Sequence, residues 1–135
     1  MSASLFDLRG KVAVVTGGAG HLGIAMGEAL AFAGASVFLA SRDQARGASA
    51  AERIRAKGLQ NIREVVLDPN NRESLQEELA KIEKDTGPIT TLINAAGGNI
   101  PGATVQPGQT FAALDVAALD AVLKSNVLAG AVLPT

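Results

Sequence analysis

The stretch Val12–Gly23, whose sequence is VAVVTGGAGHLG, decides the fold of this chain. Its first residues are apolar, as in a buried strand, and the following ones are rich in glycine. From Leu22 to Ala33, apolar residues recur at the spacing of a helix. The stretch therefore predicts a strand, a glycine turn and a helix. Such a turn lets a ligand approach the backbone closely, and the first helical turn offers free N–H groups to an anion.

Two glycine templates fit this turn. Gly18, Gly20 and Gly23 satisfy GxGxxG. Residues 16–23 equally satisfy TGxxxGxG, with His21 in the place of the middle glycine. Either template predicts that the pyrophosphate of a dinucleotide binds at the start of the helix. The structural alternative is a tight connection without a ligand, so the rest of the chain has to decide.

The composition favours a globular protein of one domain. The 135 residues are 47% hydrophobic with a net charge of −1, so binding to nucleic acid or to a membrane surface has no electrostatic support. No apolar stretch reaches the roughly 18 residues that span a bilayer, and the N-terminus lacks a signal-peptide pattern, so we expect a cytoplasmic protein. The absence of cysteine and the single histidine exclude thiol catalysis and zinc–thiolate or histidine-rich metal sites.

Strands and helices alternate four times along the chain. Such alternation predicts an α/β fold, a doubly wound parallel sheet of the Rossmann type, with strand order 3-2-1-4. Asn70 is predicted to cap the third helix, with Glu73 completing a capping box. The predicted strands are residues 12–16, 36–40, 62–67 and 90–93, and the predicted helices are 21–33, 43–57, one from about 70 to 86, and one from 115 past 126.

The sequence reaches Thr135 without a fifth strand. A doubly wound sheet normally continues beyond its fourth strand, and an open edge is a liability. We therefore expect residues 1–135 to be the N-terminal portion of a dinucleotide-binding domain. A fragment, a truncated product and one half of a two-chain assembly all satisfy this expectation.

The end of the second strand bears on the choice of cofactor. Folds that bind NAD carry an acidic residue about 20 positions after the glycines, and here that place holds Ser41. Ser41 can hydrogen-bond a 2′-phosphate and Arg42 can pair with it, which favours NADP(H) over NAD(H). The alternative for Arg42 is a solvated surface charge. Asp43 is predicted to cap the next helix, but NAD would be favoured if Asp43 bound the ribose.

Two further strand ends carry candidate cofactor residues. Asp68 can accept a hydrogen bond from the adenine amine or can cap the turn that follows it. After the fourth strand, Asn94–Gly97 reads NAAG, in which the small residues permit close approach to a cofactor. Asn94 can tie adjacent strands through its amide.

In this order and spacing, the motifs resemble those of the short-chain dehydrogenase/reductase family. The turn matches that family's glycine motif apart from His21, and Asp68 matches its adenine aspartate. Asn94–Gly97 matches its NNAG motif apart from Ala95, and Lys124–Gly130 is similar to the segment that bears its catalytic asparagine. The predicted cofactor residues are Gly17, Gly18, Gly20, His21, Leu22, Gly23, Ser41, Arg42, Asp68, Asn94, Ala95, Ala96 and Gly97.

The resemblance implies hydride transfer between a nicotinamide and the carbonyl or alcohol carbon of a small molecule, in a protein that forms dimers or tetramers. It implies four catalytic positions, of which only the asparagine, Asn126, is present. The chain contains no tyrosine, so the general acid of the family would lie beyond Thr135, and we expect the chain alone to be inactive. A non-catalytic regulatory protein that binds NAD(P) is the alternative.

The positions that depart from the family motifs point to one branch of the family. His21 and Ala95, together with the Gly98-Asn99 pair, are similar to a sugar-acid branch related to mannonate and fructuronate reductases. That branch implies a polyhydroxylated carbonyl substrate. His21 adds a side chain where the family has glycine, so we expect a reshaped turn in which Gly20 supplies the flexibility.

Overall fold

A computed structural model of the chain describes residues 6–68 and 71–132. Strands and helices alternate in it as the sequence predicts. The strands are β1 (Val12–Thr16), β2 (Ser36–Ser41), β3 (Ile62–Val66) and β4 (Thr91–Asn94), and the helices are α1 (His21–Phe32), α2 (Gln44–Arg55), α3 (Arg72–Thr86) and α4 (Val116–Leu123).

The four strands form one parallel sheet in the order β3-β2-β1-β4, which confirms the predicted fold class and strand order. Thr16, the last residue of β1, lies opposite Ala40 of β2 and Asn94 of β4. Because parallel strands end at the same edge, the loops that follow β1, β2 and β4 meet there, where α/β folds bind their ligands.

Each face of the sheet has its own hydrophobic core. Ala13 and Val15 of β1 pack with residues of α1 and α2 on one face. Val12 and Val14 pack with Leu75 and other residues of α3 on the opposite face. Successive strand residues point to opposite faces, so a strand covered on both sides is apolar throughout.

The predicted cap of α3 is wrong, and the last helix runs past residue 126 as predicted but changes its geometry. Asn71, whose Oδ1 accepts from the N–H of Ser74 at 3.1 Å, caps α3, so Glu73 does not complete a capping box. The predicted cap, Asn70, lies outside the described residues. The last helix is α-helical only to Leu123 and continues as a π-helix over Lys124–Val132, hereafter the π segment. Within the described ranges, no helix has the length and apolar character needed to cross a membrane.

The glycine turn packs directly against the loop that follows β4. Gly17 adopts a φ of 64°, in the left-handed region that favours glycine. A Cβ on Gly17 would lie 2.6 Å from the carbonyl oxygen of Ala95 and 2.7 Å from the nitrogen of Ala96. A Cβ on Gly23, in the first turn of α1, would lie 2.8 Å from Cα of Gly18. Two of the loops at the ligand-binding edge therefore touch through backbone atoms.

Replacing Gly17 with alanine tests this contact. We expect Gly17→Ala to lower the free energy of unfolding by about 1–3 kcal/mol, because the new Cβ meets both an unfavourable φ and the backbone of the β4 loop. Urea denaturation followed by circular dichroism measures the change. Gly98→Ala is the matched control, since a Cβ there meets no heavy atom within 4 Å. Equal stability of the two variants would contradict the packing argument.

Candidate functional site

A cleft of about 690 Å³ opens at the carboxyl ends of the strands. Its walls come from the glycine turn, the end of β2, the loop after β4, and helices α3 and α4. A volume of this size is typical of small-molecule and cofactor sites. Of the predicted cofactor residues, those that line the cleft are Gly17, Gly20, Ser41, Arg42, Ala95, Ala96 and Gly97.

The start of α1 presents unneutralised positive charge to this cleft. Gly20 is the N-cap of α1, makes no side-chain cap hydrogen bond, and lines the cleft. The first turn of the helix contains no acidic residue. The partial positive charge of the helix end is therefore left for an anion, and the pyrophosphate of a dinucleotide fits this arrangement.

The turn is not reshaped in the way that the sequence suggests. Gly20 has φ −82° and ψ 164°, an extended conformation that any residue adopts, and the left-handed conformation falls at Gly17 instead. His21 and Leu22 are exposed at the start of α1, and Leu22 is 70% exposed. His21 therefore replaces a glycine while its side chain points into solvent, and Gly20 need not supply extra flexibility.

Gly18 and Gly23 let the glycine turn pack closely against its neighbours. The N–H of Gly18 donates to the carbonyl oxygen of Ala40 at 2.9 Å, which joins the turn to β2. A Cβ on Gly18 would lie 2.7 Å from Cα of Leu39. Both glycines are buried, so they allow the turn to lie against its neighbours and do not themselves face the cleft.

The end of β2 carries the charged groups of the cleft. Asp43 caps α2, because its Oδ1 accepts from the N–H of Arg46 at 3.0 Å, as predicted. The N–H of Asp43 donates to Oγ of Ser41 at 3.2 Å. Arg42 and Arg46 are exposed and line the cleft, and neither guanidinium makes a hydrogen bond or ion pair within residues 6–68 and 71–132.

Sequence reasoning missed Arg46. Its position was nevertheless readable, since it falls in the first turn after the predicted cap Asp43, next to the strand end that carries Arg42.

Thr16 holds the loop after β4 in place. Its backbone oxygen accepts from the N–H of Ala95 at 3.2 Å, and its Oγ1 accepts from the N–H of Ala96 at 3.3 Å. Asn94 is exposed at the end of β4. Asp68 is also exposed, and its backbone oxygen accepts from the N–H of Asn71 at 3.0 Å, which closes the turn before α3.

The side chain of Asn126, in the π segment, binds the same loop. Its Oδ1 accepts from the N–H of Gly98 at 2.8 Å, and its Nδ2 donates to the carbonyl oxygen of Gly98 at 2.8 Å. A Cβ on Gly130 would lie 2.7 Å from the carbonyl oxygen of Ala96, so the π segment also packs closely on the loop. The contacts with the loop therefore come from the π segment, whose turns are wider than those of a regular α-helix.

An apolar wall, which the sequence did not identify as part of the site, completes the cleft. Leu75 and Leu79 of α3 and Val122 of α4 contribute to it. The sequence showed Leu75 and Leu79 on one helix face but gave no sign that this face continues from the core into the cleft. An apolar wall beside polar strand ends suits a flat heterocyclic ring.

Comparison with known proteins agrees with this geometry. The family model for short chain dehydrogenases matches residues 11–134. A 2-dehydro-3-deoxy-D-gluconate 5-dehydrogenase from Formosa agariphila is 38% identical over 103 residues, which are 72% of this chain and 37% of that protein. The chain spans half or less of the length of the curated relatives that it matches.

Solved structures show the same fold with both nicotinamide cofactors. A protein described as a D-mannonate oxidoreductase from Haemophilus influenza, with bound NAD, has a TM-score of 0.84 and 29% identity, covering 96% of this chain and 49% of that one. The RhlG/NADP active-site complex of Pseudomonas aeruginosa has a TM-score of 0.75 and 25% identity, covering 92% and 45%. The matched range and the shared fold show that this chain belongs to the short chain dehydrogenase family, oxidoreductases that bind NAD(P).

Proposed function

We propose that this chain is the NADP(H)-binding portion of an oxidoreductase that transfers a hydride to or from the carbonyl or alcohol carbon of a sugar acid. The observation that carries the proposal is the cleft itself. The uncapped start of α1 and the unpaired guanidinium of Arg42 face one cavity of dinucleotide size. When bound, the nicotinamide supplies or accepts the hydride.

Each part of the cleft has a proposed task. The backbone N–H groups at residues 21–23 hold the pyrophosphate, because the helix end is positive and uncapped. Ser41 and Arg42 bind the 2′-phosphate of the adenosine ribose. Asp68 accepts from the adenine amine, and Asn94–Gly97 forms the surface against which the cofactor lies.

The preference for NADP(H) rests on the charge at the end of β2. The place of the ribose-binding carboxylate holds Ser41, and the neighbouring carboxylate of Asp43 is engaged as the cap of α2. A carboxylate committed to a helix cap is a poor partner for ribose hydroxyls. Arg42, by contrast, has no acidic partner among the described residues and is free to bind a phosphate.

The sugar-acid substrate rests on the relatives. The gluconate-type dehydrogenase from Formosa agariphila and the mannonate-type structure from Haemophilus influenza are both named for sugar acids. The Gly98-Asn99 pair, in the loop after β4, lines the cleft beside the predicted cofactor residues. We propose that this loop meets the substrate.

Asn126 is proposed to occupy the asparagine position of the catalytic set, where the family holds a water for proton transfer. Its amide also holds both backbone groups of Gly98, so it positions the loop that borders the cleft. The chain has no tyrosine, so we propose that a longer protein supplies the acid–base group and that residues 1–135 alone do not turn over substrate.

Assembly and location stay predictions. Leu123 of α4 is 53% exposed and Val127 of the π segment is 50% exposed. Exposed apolar side chains on one helical element support the proposed dimer or tetramer. The cytoplasmic location rests on the sequence alone.

Arg42→Asp tests the cofactor preference. We expect the variant to bind NADPH at least about tenfold more weakly, because a carboxylate repels the 2′-phosphate where a guanidinium attracted it. We expect NADH binding to strengthen, since a carboxylate can accept from the ribose hydroxyls. Isothermal titration of both cofactors gives the ratio, and an unchanged ratio would remove Arg42 from the site.

Asn126→Ala tests the contact between the π segment and the loop. We expect the amide of Gly98 to exchange with solvent about tenfold faster in this variant, because its acceptor is lost. Asn126→Asp is the matched control: it keeps the acceptor oxygen but replaces the Nδ2 donor with an oxygen that faces the carbonyl oxygen of Gly98, so it should retain only part of the protection. Hydrogen exchange measured by NMR separates the two variants. Equal rates in Asn126→Ala and the unaltered chain would show that the contact does not hold the loop.

A further inference from the structure

We propose that Arg46 is a second specificity-determining residue, which acts with Arg42 on the 2′-phosphate of NADP(H). The proposal rests on the proposed function and extends it to a residue outside the family motifs quoted above. Arg46 lies in the first turn of α2 and lines the same cleft as Arg42 and Ser41.

The helix cap fixes where Arg46 lies. Oδ1 of Asp43 accepts from the backbone N–H of Arg46, so the cap and the arginine are one structural unit at the rim of the cleft. Oγ of Ser41 accepts from the N–H of Asp43, which joins this unit to the end of β2. The backbone that carries Arg46 is therefore fixed relative to the strand end that the 2′-phosphate would meet.

The charge of the cleft favours an anion. Its charged lining residues are Arg42, Asp43 and Arg46, which leave a net positive charge even though Asp43, whose Oδ1 caps α2, remains a carboxylate. Residues 16–23 contain no lysine or arginine, so the glycine turn adds no cationic side chain. A phosphate monoester carries a charge of about −1.5 to −2 near neutral pH. The lining is net positive only with both guanidinium groups, because Arg42 and Asp43 alone would cancel.

Arg42 and Arg46 also lie at the end of α2 where cations are unfavourable. Cations oppose the dipole at a helix N-terminus and complement it at the C-terminus. Arg53 and Arg55 follow that rule in the last turn of α2, and Arg55 pairs with Glu64 at 2.8 Å. Arg42 and Arg46 break the rule and have no partner among the described residues to offset it. Residues that break a local rule without compensation concentrate at functional sites.

The test compares two nucleotides that differ at the 2′ position. The full chain and its variants are titrated with 2′,5′-ADP and with 5′-AMP by isothermal calorimetry, with folding checked by circular dichroism. We expect Arg46→Gln to weaken binding of 2′,5′-ADP about tenfold and binding of 5′-AMP less than about twofold, because glutamine removes the charge and keeps the helix propensity. Arg53→Gln makes the same change on the same helix in a residue that lines a neighbouring groove, and should change neither.

The outcomes separate this inference from the proposed function. Equal weakening of both nucleotides by Arg46→Gln would mean that Arg46 does not read the 2′-phosphate. If Arg46→Gln and Arg53→Gln weakened the binding of 2′,5′-ADP equally, the effect would come from the overall positive charge of the protein and not from a contact with Arg46. Either result overturns the inference and leaves the proposed function standing. If the unaltered chain binds neither nucleotide, the proposed function fails and the inference fails with it.

Discussion

The contact between the glycine turn and the loop after β4 is the constraint on which the site depends. Gly17, with its positive φ, lies against the backbone of Ala95 and Ala96. Thr16 fixes the same loop through its backbone oxygen and its hydroxyl. Asn126 holds the far side of the loop at Gly98. The loop after β4 is therefore held at one end by Thr16 and at the other by Asn126. Its backbone lines the cleft, into which the N-terminus of α1 opens.

Electrostatics then decides what that space can bind. The start of α1 is positive because no side chain caps it. Arg42 and Arg46 add two cations to the lining of the cleft, and the nearby carboxylate of Asp43 caps the backbone of α2. The apolar wall from α3 and α4 lies beside these charges. A ligand with two anionic groups and a flat ring matches all three features, which supports the proposed binding of a dinucleotide phosphorylated at the ribose.

The sequence predicted the parts of this molecule that local patterns govern. The strand, turn and helix around Val12–Gly23 and the strand order follow from periodicity and from the rules for parallel sheets. The cap of α3 was placed at Asn70 although Asn71 serves, because adjacent asparagines offer equivalent caps. The contact of Asn126 with Gly98 could not be predicted, since the two residues lie 28 positions apart in the sequence and no local pattern links them. The apolar wall of the cleft could not be predicted for the same reason, because it forms only when α3 and α4 pack beside the sheet.

The most direct test of the account is NMR on the isotopically labelled chain during titration with NADPH. We expect the backbone amides of His21 and Leu22 to shift most strongly, because we propose that they bind the pyrophosphate at the start of α1. The shifts should saturate together with those of Arg42 and Arg46, since one ligand spans both ends of the cleft. Saturable binding that leaves the amides at the start of α1 unmoved would contradict the account.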